Sequence, residues 1–382
     1  MSDRKDAINR DQAKLLAAAH RIVVKVGTST VTGPDGSFHA QRVQPIVDSI
    51  ARLMAKRRQV VLISSGAIGL GRGWLNLHRS RLDDLVTKQA CAAVGQSLLM
   101  NAYKELFDPH GVKIAQVLLT DEDFSSWSRY SNLRATIERL LGFGVLPIVN
   151  ENDTVSTKEL ESRPLGARKA SFGDNDRLAA LVMSGLDAEA LILLTNVDGL
   201  LKKSSRSHSE PEESGLIPLV TEVTPALRSL AAGPSAGGRG GMLTKLEAAE
   251  IAMNCGGTAV IANGQVPEIL DRIFAGEPVG TTFQPSKRLR GKKRWIAYAA
   301  DVRGRIVVDQ GARQALVAGK ASLLRSGVVR IESHFASLDV VSILDEKGTE
   351  FARGISACAS SENEAASRIL VRRDNIVLLE VP

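Results

Sequence analysis

The feature that most constrains the fold is a set of six short apolar runs, rich in β-branched residues, that end in small or polar residues. They span residues 21–27, 60–66, 114–120, 144–153, 190–199 and 258–264. Near-continuous apolar strands are typical of a parallel sheet that is covered by helices on both faces. Ligands of such sheets gather at the carboxyl ends of the strands, where these runs place glycine, serine, asparagine and aspartate.

Helical periodicity separates the runs. Apolar residues recur at three- and four-residue spacing in segments 43–56, 82–107, 132–141, 176–184 and 244–254. This alternation predicts an α/β fold with a largely parallel central sheet between helices. Segments rich in Gly, Pro, Ser or charge are predicted to be mobile loops, at 159–171, 202–215 and 231–241.

The chain of 382 residues is long enough for two domains. Its last third contains short, turn-separated segments typical of a small β-rich domain, at 294–300, 304–309, 328–333, 339–344 and 350–356. We therefore expect an N-terminal extension (1–20), an α/β domain (21–284), a basic linker (285–294) and a β-rich domain with a C-terminal tail (295–382).

The positive charge is concentrated in the linker. The chain carries a net charge of +7, and residues 287–382 hold 17 Lys and Arg against 11 Asp and Glu. Six of those basic residues lie within 287–294. A nucleic-acid footprint would spread over a face, so a solvated linker is favoured, and RNA binding by the C-terminal domain stays open.

Cysteine and histidine spacing gives no indication of a metal site. The three cysteines, Cys91, Cys255 and Cys358, are far apart, and the six histidines are scattered. The charged N-terminus lacks the apolar core of a signal peptide, and no apolar run is long enough to cross a bilayer. These features predict a cytoplasmic protein with no membrane association.

Common nucleotide and hydrolase fingerprints are absent. The sequence has no GxxxxGK[ST], and no GxGxxG follows a strand and opens a helix. Ser64-Ser65-Gly66 lacks the first glycine of GxSxG, and no histidine is nearby in sequence.

Four other segments combine into a candidate phosphate site: Lys25 with Gly27-Thr28-Ser29, then 64–71, then 150–156 with 173–176, and finally 238–245. Each alone has a structural explanation, such as a lysine reaching solvent, a strand-to-helix turn or an N-cap. Together they offer two lysines, glycine-rich anion sites and a cluster of aspartates. Phosphoryl transfer requires this combination of charge neutralisation and alignment.

The motifs also carry a family resemblance. VVKVGTST, ISSGAIGLG, AVGQ, NENDTVST, FGDND, LLTNVDGL and GGMLTK occur in the order seen in the glutamate 5-kinase family of the amino-acid-kinase superfamily, which residues 22–283 resemble. The C-terminal part, with KRWIAY, SLLRSGV and RRDN, resembles a PUA domain. The resemblance implies an amino-acid-kinase fold and ATP-dependent phosphorylation of the L-glutamate side-chain carboxylate to L-glutamyl 5-phosphate, the first step of proline biosynthesis.

The resemblance also implies residue roles. Two catalytic lysines, Lys25 and Lys245, would neutralise the transferring phosphoryl group, and Asp176 would orient them. Ser65, Asp153 and Asn175 would hold glutamate, with Asp153 near its α-ammonium and Asn175 hydrogen-bonding a carboxylate.

The ATP-binding positions implied by the resemblance are Lys25, Thr195, Asn196, Arg239, Gly240, Gly241, Met242, Leu243, Thr244 and Lys245. Asn196 stands where many relatives have aspartate, and Arg239 and Leu243 replace the small polar residues usual in the glycine loop. ATP is expected as the co-substrate, with Mg²⁺ bridging its phosphates and not held in a dedicated protein site.

A homo-oligomer, either a dimer or a tetramer, is also implied, and inhibition by proline stays open. Two other functions remain as alternatives. One is another amino-acid or carboxylate kinase of the same superfamily, and the other is an accessory protein that binds RNA through the PUA-like domain.

Overall fold

The computed structural model describes residues 14–78, 82, 84–155, 175–202, 215–231, 241–286, 289, 291–319, 321–362 and 368–379. The chain divides into two compact units, one made of Met1–Asp121 and Asn132–Arg288 and the other of Glu122–Ser131 and Leu289–Pro382. Several predicted features lie outside the described residues: most of the extension 1–20, the loop 159–171, the interiors of the loops 202–215 and 231–241, and Lys287, Arg288 and Arg290 of the linker.

An eight-stranded sheet forms the centre of the first unit. Its strands are β1 (Arg21–Val26), β2 (Gln59–Ser64), β3 (Ile114–Leu119), β4 (Leu146–Glu151), β5 (Ala190–Thr195), β6 (Leu219–Val220), β7 (Thr258–Asn263) and β8 (Thr281–Phe283). Their order is β3-β4-β2-β1-β5-β7-β8-β6. The six predicted strands are β1–β5 and β7, and all six pair in parallel, which confirms the prediction. Only β8 runs antiparallel to its neighbour β7.

The described helices are α1 (Thr28–Val31), α2 (Ala40–Ala55), α3 (Ala67–Trp74), α4 (Leu85–Phe107), α5 (Glu122–Ser125), α6 (Trp127–Gly142), α7 (Asn175–Gly185), α8 (Pro225–Ala231), α9 (Met242–Asn254), α10 (Ile269–Phe274), α11 (Lys292–Arg294) and α12 (Gln310–Val317). The five predicted helices are present as α2, α4, α6, α7 and α9, with shifted ends. For example, α4 begins at Leu85 because the Asp84 carboxylate accepts a hydrogen bond from the Thr87 backbone N–H.

The central strand β1 is buried on both faces, which explains its uninterrupted apolar sequence. Ile22, Val24 and Val26 belong to the main core together with buried residues of α2. Because successive side chains of a strand alternate between faces, Val23 and Lys25 lie on the opposite face. Helix α7 contacts β1, β2, β4 and β5, and α9 packs against α7.

Glycines bring α3 and α4 into close contact. An added Cβ at Gly71 would lie 1.9 Å from the carbonyl oxygen of Cys91, and one at Gly95 would lie 1.7 Å from that of Ala67. No larger residue fits at either position without moving backbone, so these glycines fix the distance between the two helices.

The second unit is built on a six-stranded sheet. Its strands are β9 (Val302–Val308), β10 (Leu323–Leu324), β11 (Val328–Ile331), β12 (Val340–Leu344), β13 (Glu350–Ser356) and β14 (Ile369–Leu378). Their order is β10-β14-β13-β12-β9-β11, and only the β9–β12 pair is parallel. Four of the predicted segments are confirmed as β9, β11, β12 and β13, whereas β10, β14 and α12 were not predicted.

The prediction of β-structure at 294–300 is wrong. Arg294 ends α11, and Trp295–Ala299 continue as a π-helical turn. Four of these five residues are buried, and a short apolar run that is buried all round has the same pattern in a strand as in a helix.

Residues 122–131 belong to this second unit and pack against Trp295. The Trp295 indole nitrogen donates a hydrogen bond to the carbonyl oxygen of Phe124 at 2.9 Å. The rings of Trp127 and Trp295 meet edge to face at 5.7 Å, and Tyr130 contacts both Phe124 and Trp127. This segment lies within the span 21–284 of the predicted first domain, and no motif in its sequence indicated the contact.

Candidate active site

Lys25 places a cation inside the sheet. Apart from Arg21 at the start of β1, Lys25 is the only charged residue of this strand. Its side chain lies on the face opposite the main core, and the residue is 6% exposed. A cation buried this far requires an anionic partner, because removing a charge from water is costly.

Asp176 provides that partner from the first turn of α7. Its Oδ1 lies 2.6 Å from Lys25 Nζ, and its Oδ2 lies 3.0 Å from Lys245 Nζ. The carboxylate is fully buried. Burial by itself raises the pKa of Asp176, but the charges of Lys25 and Lys245 and their hydrogen bonds outweigh it and lower the pKa to about 2. Asp176 is therefore an anion throughout the physiological pH range.

Lys245 reaches the carboxylate from the first turn of α9. It is 6% exposed. The preceding residue, Thr244, donates through its hydroxyl to Asp176 Oδ2 at 3.2 Å or to the Gly241 carbonyl oxygen at 2.8 Å. Gly241, in extended conformation, is the N-cap of α9. The start of this 13-residue helix thus combines a lysine with the first-turn backbone N–H groups, which point along the helix axis, and this combination suits an anionic ligand.

A second cluster, made of uncharged polar groups, surrounds Asn175 at the start of α7. The Asn175 amide nitrogen donates to the Ser64 carbonyl oxygen at 3.0 Å, to Ser65 Oγ at 2.7 Å and to Asn150 Oδ1 at 3.1 Å. It therefore connects the carboxyl ends of β2 and β4.

Helix α4 supports this cluster from behind. Gln96 Oε1 accepts a hydrogen bond from the Asn150 amide at 3.0 Å, and the Gln96 amide reaches Gln116 Oε1 at 3.3 Å. Two turns further on, the Tyr103 hydroxyl is 2.8 Å from Ser64 Oγ. Burial raises the pKa of Tyr103 to about 12, with the Ser64 hydrogen bond acting in the opposite direction.

On the other side of β1, polar residues end β5 and β7. Thr195 is buried and donates through its hydroxyl to Asn196 Oδ1 at 3.3 Å, while Asn196 is exposed. Near them, Asn263 donates through its amide to Asp198 Oδ1 at 2.9 Å. Both pairs lie at the carboxyl edge of the sheet, where the strands reach the ligand-binding side.

The structure brings six of the predicted site residues together, in two groups. One is Lys25, Asp176, Thr244 and Lys245, and the other is Ser65 with Asn175. Asp153 lies half-buried two residues beyond β4, and Gly241, Met242 and Leu243 lie at the start of α9. Arg239 and Gly240 lie outside the described residues.

The sequence did not single out Gln96, Asn150 or Tyr103 individually. Gln96 and Tyr103 are seven residues apart, which places them on one face of a helix, and this spacing was the available signal. Asn150 begins the NEND motif but lies inside β4 and is 3% exposed.

Comparison with known proteins identifies the family. Residues 20–263 match the model of the amino acid kinase family, and residues 304–373 match that of the PUA domain. The chain is 42% identical over 378 residues to the glutamate 5-kinase of Caldanaerobacter subterraneus subsp. tengcongensis, which covers 94% of this chain and 98% of the relative. It is 45% identical over 349 residues to the glutamate 5-kinase of Myxococcus xanthus, which covers 91% and 89%. The chain belongs to the amino acid kinase family, among the glutamate 5-kinases.

Membership of the amino acid kinase family confirms the predicted fold class, an α/β domain with a largely parallel sheet followed by a β-rich PUA domain. No helix among the described residues is long and apolar enough to span a membrane. Within the same described ranges, no group of three or more His, Cys, Asp or Glu residues is arranged to hold a metal ion.

Proposed function

We propose that the protein uses ATP to phosphorylate the side-chain carboxylate of L-glutamate, forming L-glutamyl 5-phosphate, the reaction that opens proline biosynthesis. The observation that carries the proposal is the pair of buried lysines, Lys25 and Lys245, held on the two oxygens of one buried aspartate. Such an arrangement stabilises a developing phosphoryl charge, and the relatives that match over nearly the whole chain are glutamate 5-kinases.

The chemistry requires no general base. The side-chain carboxyl of glutamate has an ordinary pKa of about 4.3, so it is already an anionic nucleophile at neutral pH. One of its oxygens forms a bond to the γ-phosphorus of ATP, and the bond from that phosphorus to the β,γ-bridging oxygen breaks. The electron pair leaves with ADP, and no proton is transferred.

The role proposed for Lys25 and Lys245 is to neutralise the charge on the transferring group. Asp176 fixes both ammonium groups before the substrates arrive, so little reorganisation is needed during the reaction. The start of α9 would receive the ATP phosphates on its N–H groups, and Thr195 and Asn196 would contact the nucleoside. Mg²⁺ would enter with ATP as part of the nucleotide substrate.

The glutamate site is proposed at Ser65, Asp153 and Asn175. Ser65 contacts Asn175, and Asn175 directly precedes Asp176 in the chain, which favours a substrate carboxylate close to the lysines. Asp153 supplies a negative charge for the α-ammonium group.

The test measures products. Purified protein with ATP, Mg²⁺ and L-glutamate should form ADP and an acyl phosphate that hydroxylamine traps as the hydroxamate. Lys245→Ala should reduce both products at least about 100-fold, because a charge-stabilising group is lost. Lys113→Ala, at an exposed lysine of the same unit, should leave the rate unchanged. Turnover of aspartate or N-acetylglutamate without turnover of L-glutamate would overturn the substrate assignment.

The cellular location, the oligomeric state and the domain boundaries belong to the same proposal. We expect a cytoplasmic homo-oligomer of two or four chains, which light scattering tests, and domains divided at 284 and 294. Inhibition by proline stays open and is tested by adding proline to the assay above, where inhibition would raise the apparent KM for L-glutamate.

A further inference from the structure

The hydrogen bonds among the side-chain amides of the candidate site run in one direction, and backbone groups determine that direction. The backbone N–H of Glu151 donates to the side-chain oxygen of Asn150 at 2.9 Å, which identifies that atom as Oδ1. The nitrogen of Asn150 must therefore be the atom that meets Gln96, so Gln96 presents its oxygen to Asn150 and its nitrogen to Gln116.

A backbone group also determines the orientation of the Asn175 amide. The carbonyl oxygen of Ser64 can only accept, so the Asn175 atom 3.0 Å away is the amide nitrogen. Asn150 Oδ1, whose identity is set by Glu151, lies 3.1 Å from that nitrogen and also requires a donor. The contact of Asn150 with the Glu151 N–H and the contact of Asn175 with the Ser64 carbonyl oxygen thus give the same orientation of the two amides.

The hydrogens of the Asn175 amide are consequently all in use. An amide nitrogen carries two hydrogens, and three acceptors already surround this one: Ser64 O, Ser65 Oγ and Asn150 Oδ1. No hydrogen remains for a carboxylate of a ligand. The oxygen of Asn175 is the atom of this amide that can engage a substrate, and an oxygen accepts hydrogen bonds.

We propose that Gln96 is a positioning residue which, through Asn150, holds Asn175 so that its amide oxygen accepts a hydrogen bond from the α-ammonium group of glutamate. This inference deepens the proposed function and rests on it. It reverses the polarity expected from the family resemblance, in which Asn175 hydrogen-bonds a carboxylate. Ser65, whose oxygen accepts from Asn175, keeps its hydroxyl hydrogen to donate to a substrate carboxylate.

Gln96 suits this role because it is buried and held in place. It is 8% exposed and follows Gly95, the residue that allows α4 to approach α3 closely. Without the oxygen of Gln96, the nitrogen of Asn150 loses its acceptor. The Glu151 N–H and the Ser64 carbonyl oxygen still set the direction of the two amides, but the Asn150 side chain is held less tightly. The oxygen of Asn175 is then no longer fixed at the position that receives the α-ammonium group.

The experiment compares L-glutamate with glutarate, which keeps both carboxylates but lacks the ammonium group. Gln96→Met removes the acceptor at similar volume, and Gln96→Glu retains an oxygen for Asn150 and serves as the matched variant. Steady-state assays give kcat and KM for each substrate, and calorimetry gives the Kd for L-glutamate and for ATP without turnover.

We expect Gln96→Met to raise the KM and Kd for L-glutamate about five- to tenfold, the effect of one lost hydrogen bond, with the KM for ATP and kcat within about twofold. The kcat/KM for glutarate should be unchanged in this variant, and Gln96→Glu should restore most of the affinity for L-glutamate.

An equal loss for glutamate and glutarate, or a loss in Gln96→Glu as large as in Gln96→Met, overturns the positioning role. Equal binding of glutarate and L-glutamate by the unmodified protein overturns the assigned polarity without any variant. If the unmodified protein fails to phosphorylate L-glutamate, the proposed function itself fails, and that result is distinct from either of these.

Discussion

Replacing Asp176 by asparagine removes the negative charge between two buried lysines while keeping the shape of the side chain. Asparagine resembles the protonated carboxyl, so the stability loss can be taken from the pKa. The pKa of Asp176 is lowered from 3.8 to about 2. At about 1.4 kcal/mol per unit, this difference corresponds to roughly 2 to 3 kcal/mol of folding free energy at neutral pH.

The sign of the pH dependence follows from the same shift. A carboxyl whose pKa is lower in the folded state stabilises that state above the unfolded pKa, and the contribution is lost as pH falls through the folded pKa. For Asp176 this window runs from about pH 4 down to pH 2, and about half of the contribution is gone at pH 3. The difference in free energy of unfolding between the unmodified protein and Asp176→Asn should therefore be constant from pH 5 to 8 and become smaller below pH 4.

Urea unfolding followed by circular dichroism, at pH 7 and at the lowest pH at which the protein stays folded, measures both effects. Asp108→Asn is the matched control, because Asp108 is exposed and its ion pair with Lys104 contributes little. The Asp176 charge does not stabilise the fold if Asp176→Asn unfolds at the same urea concentration as the unmodified protein. The same conclusion follows if the difference in free energy of unfolding between the two proteins does not shrink as the pH is lowered. Loss of turnover should accompany the loss of stability.

Three further outcomes can be measured. Gly95→Ala should destabilise the protein by about 3 kcal/mol or more in thermal unfolding, because the added Cβ would lie 1.7 Å from the carbonyl oxygen of Ala67. Gly142→Ala should be neutral or slightly stabilising, because a Cβ added there would meet no surrounding atom within 4 Å. In Tyr103→Phe, the loss of stability between pH 10 and 12 should be smaller than in the unmodified protein, since the raised pKa of Tyr103 favours the folded state only below that range. Trp295→Phe should lower the free energy of unfolding of the second unit by about 1–3 kcal/mol, because the Phe124 carbonyl oxygen loses its hydrogen-bond donor. Calorimetry of the whole protein measures this effect, and an unchanged unfolding temperature would contradict it.

The parts of the fold that could be predicted are those with a one-dimensional signal. Each strand of the parallel sheet is buried on both faces, so its sequence is apolar without interruption and its polar end is visible. Lys25 was conspicuous for the same reason, as a charge within such a run. The lysines and Asp176 could be grouped because all lie where strands end or helices begin.

Other features depend on contacts that no local pattern records. Trp295, the first residue of the π-helical turn Trp295–Ala299, packs against residues 122–131, which are more than 160 positions earlier in the chain. Gln96 resembles any polar helix residue until its partner Asn150 is known. Strand β14 carries exposed arginines in its middle, which hid its strand pattern.

The start of α7 explains how a single segment can serve both substrates. Asn175 and Asp176 are adjacent, and neighbouring side chains on a helix point about 100° apart. One therefore meets the ends of β2 and β4, and the other meets the lysines of β1 and α9. If Asn175 binds the α-ammonium group of glutamate, the first turn of α7 sets the distance between glutamate and the transferring phosphoryl group. Asn175 holds this turn against the ends of β2 and β4. Catalysis would then depend on the position of α7 as a rigid element, so substitutions that move its first turn should lower kcat and glutamate affinity together, whereas changes at Gln96 should affect affinity alone.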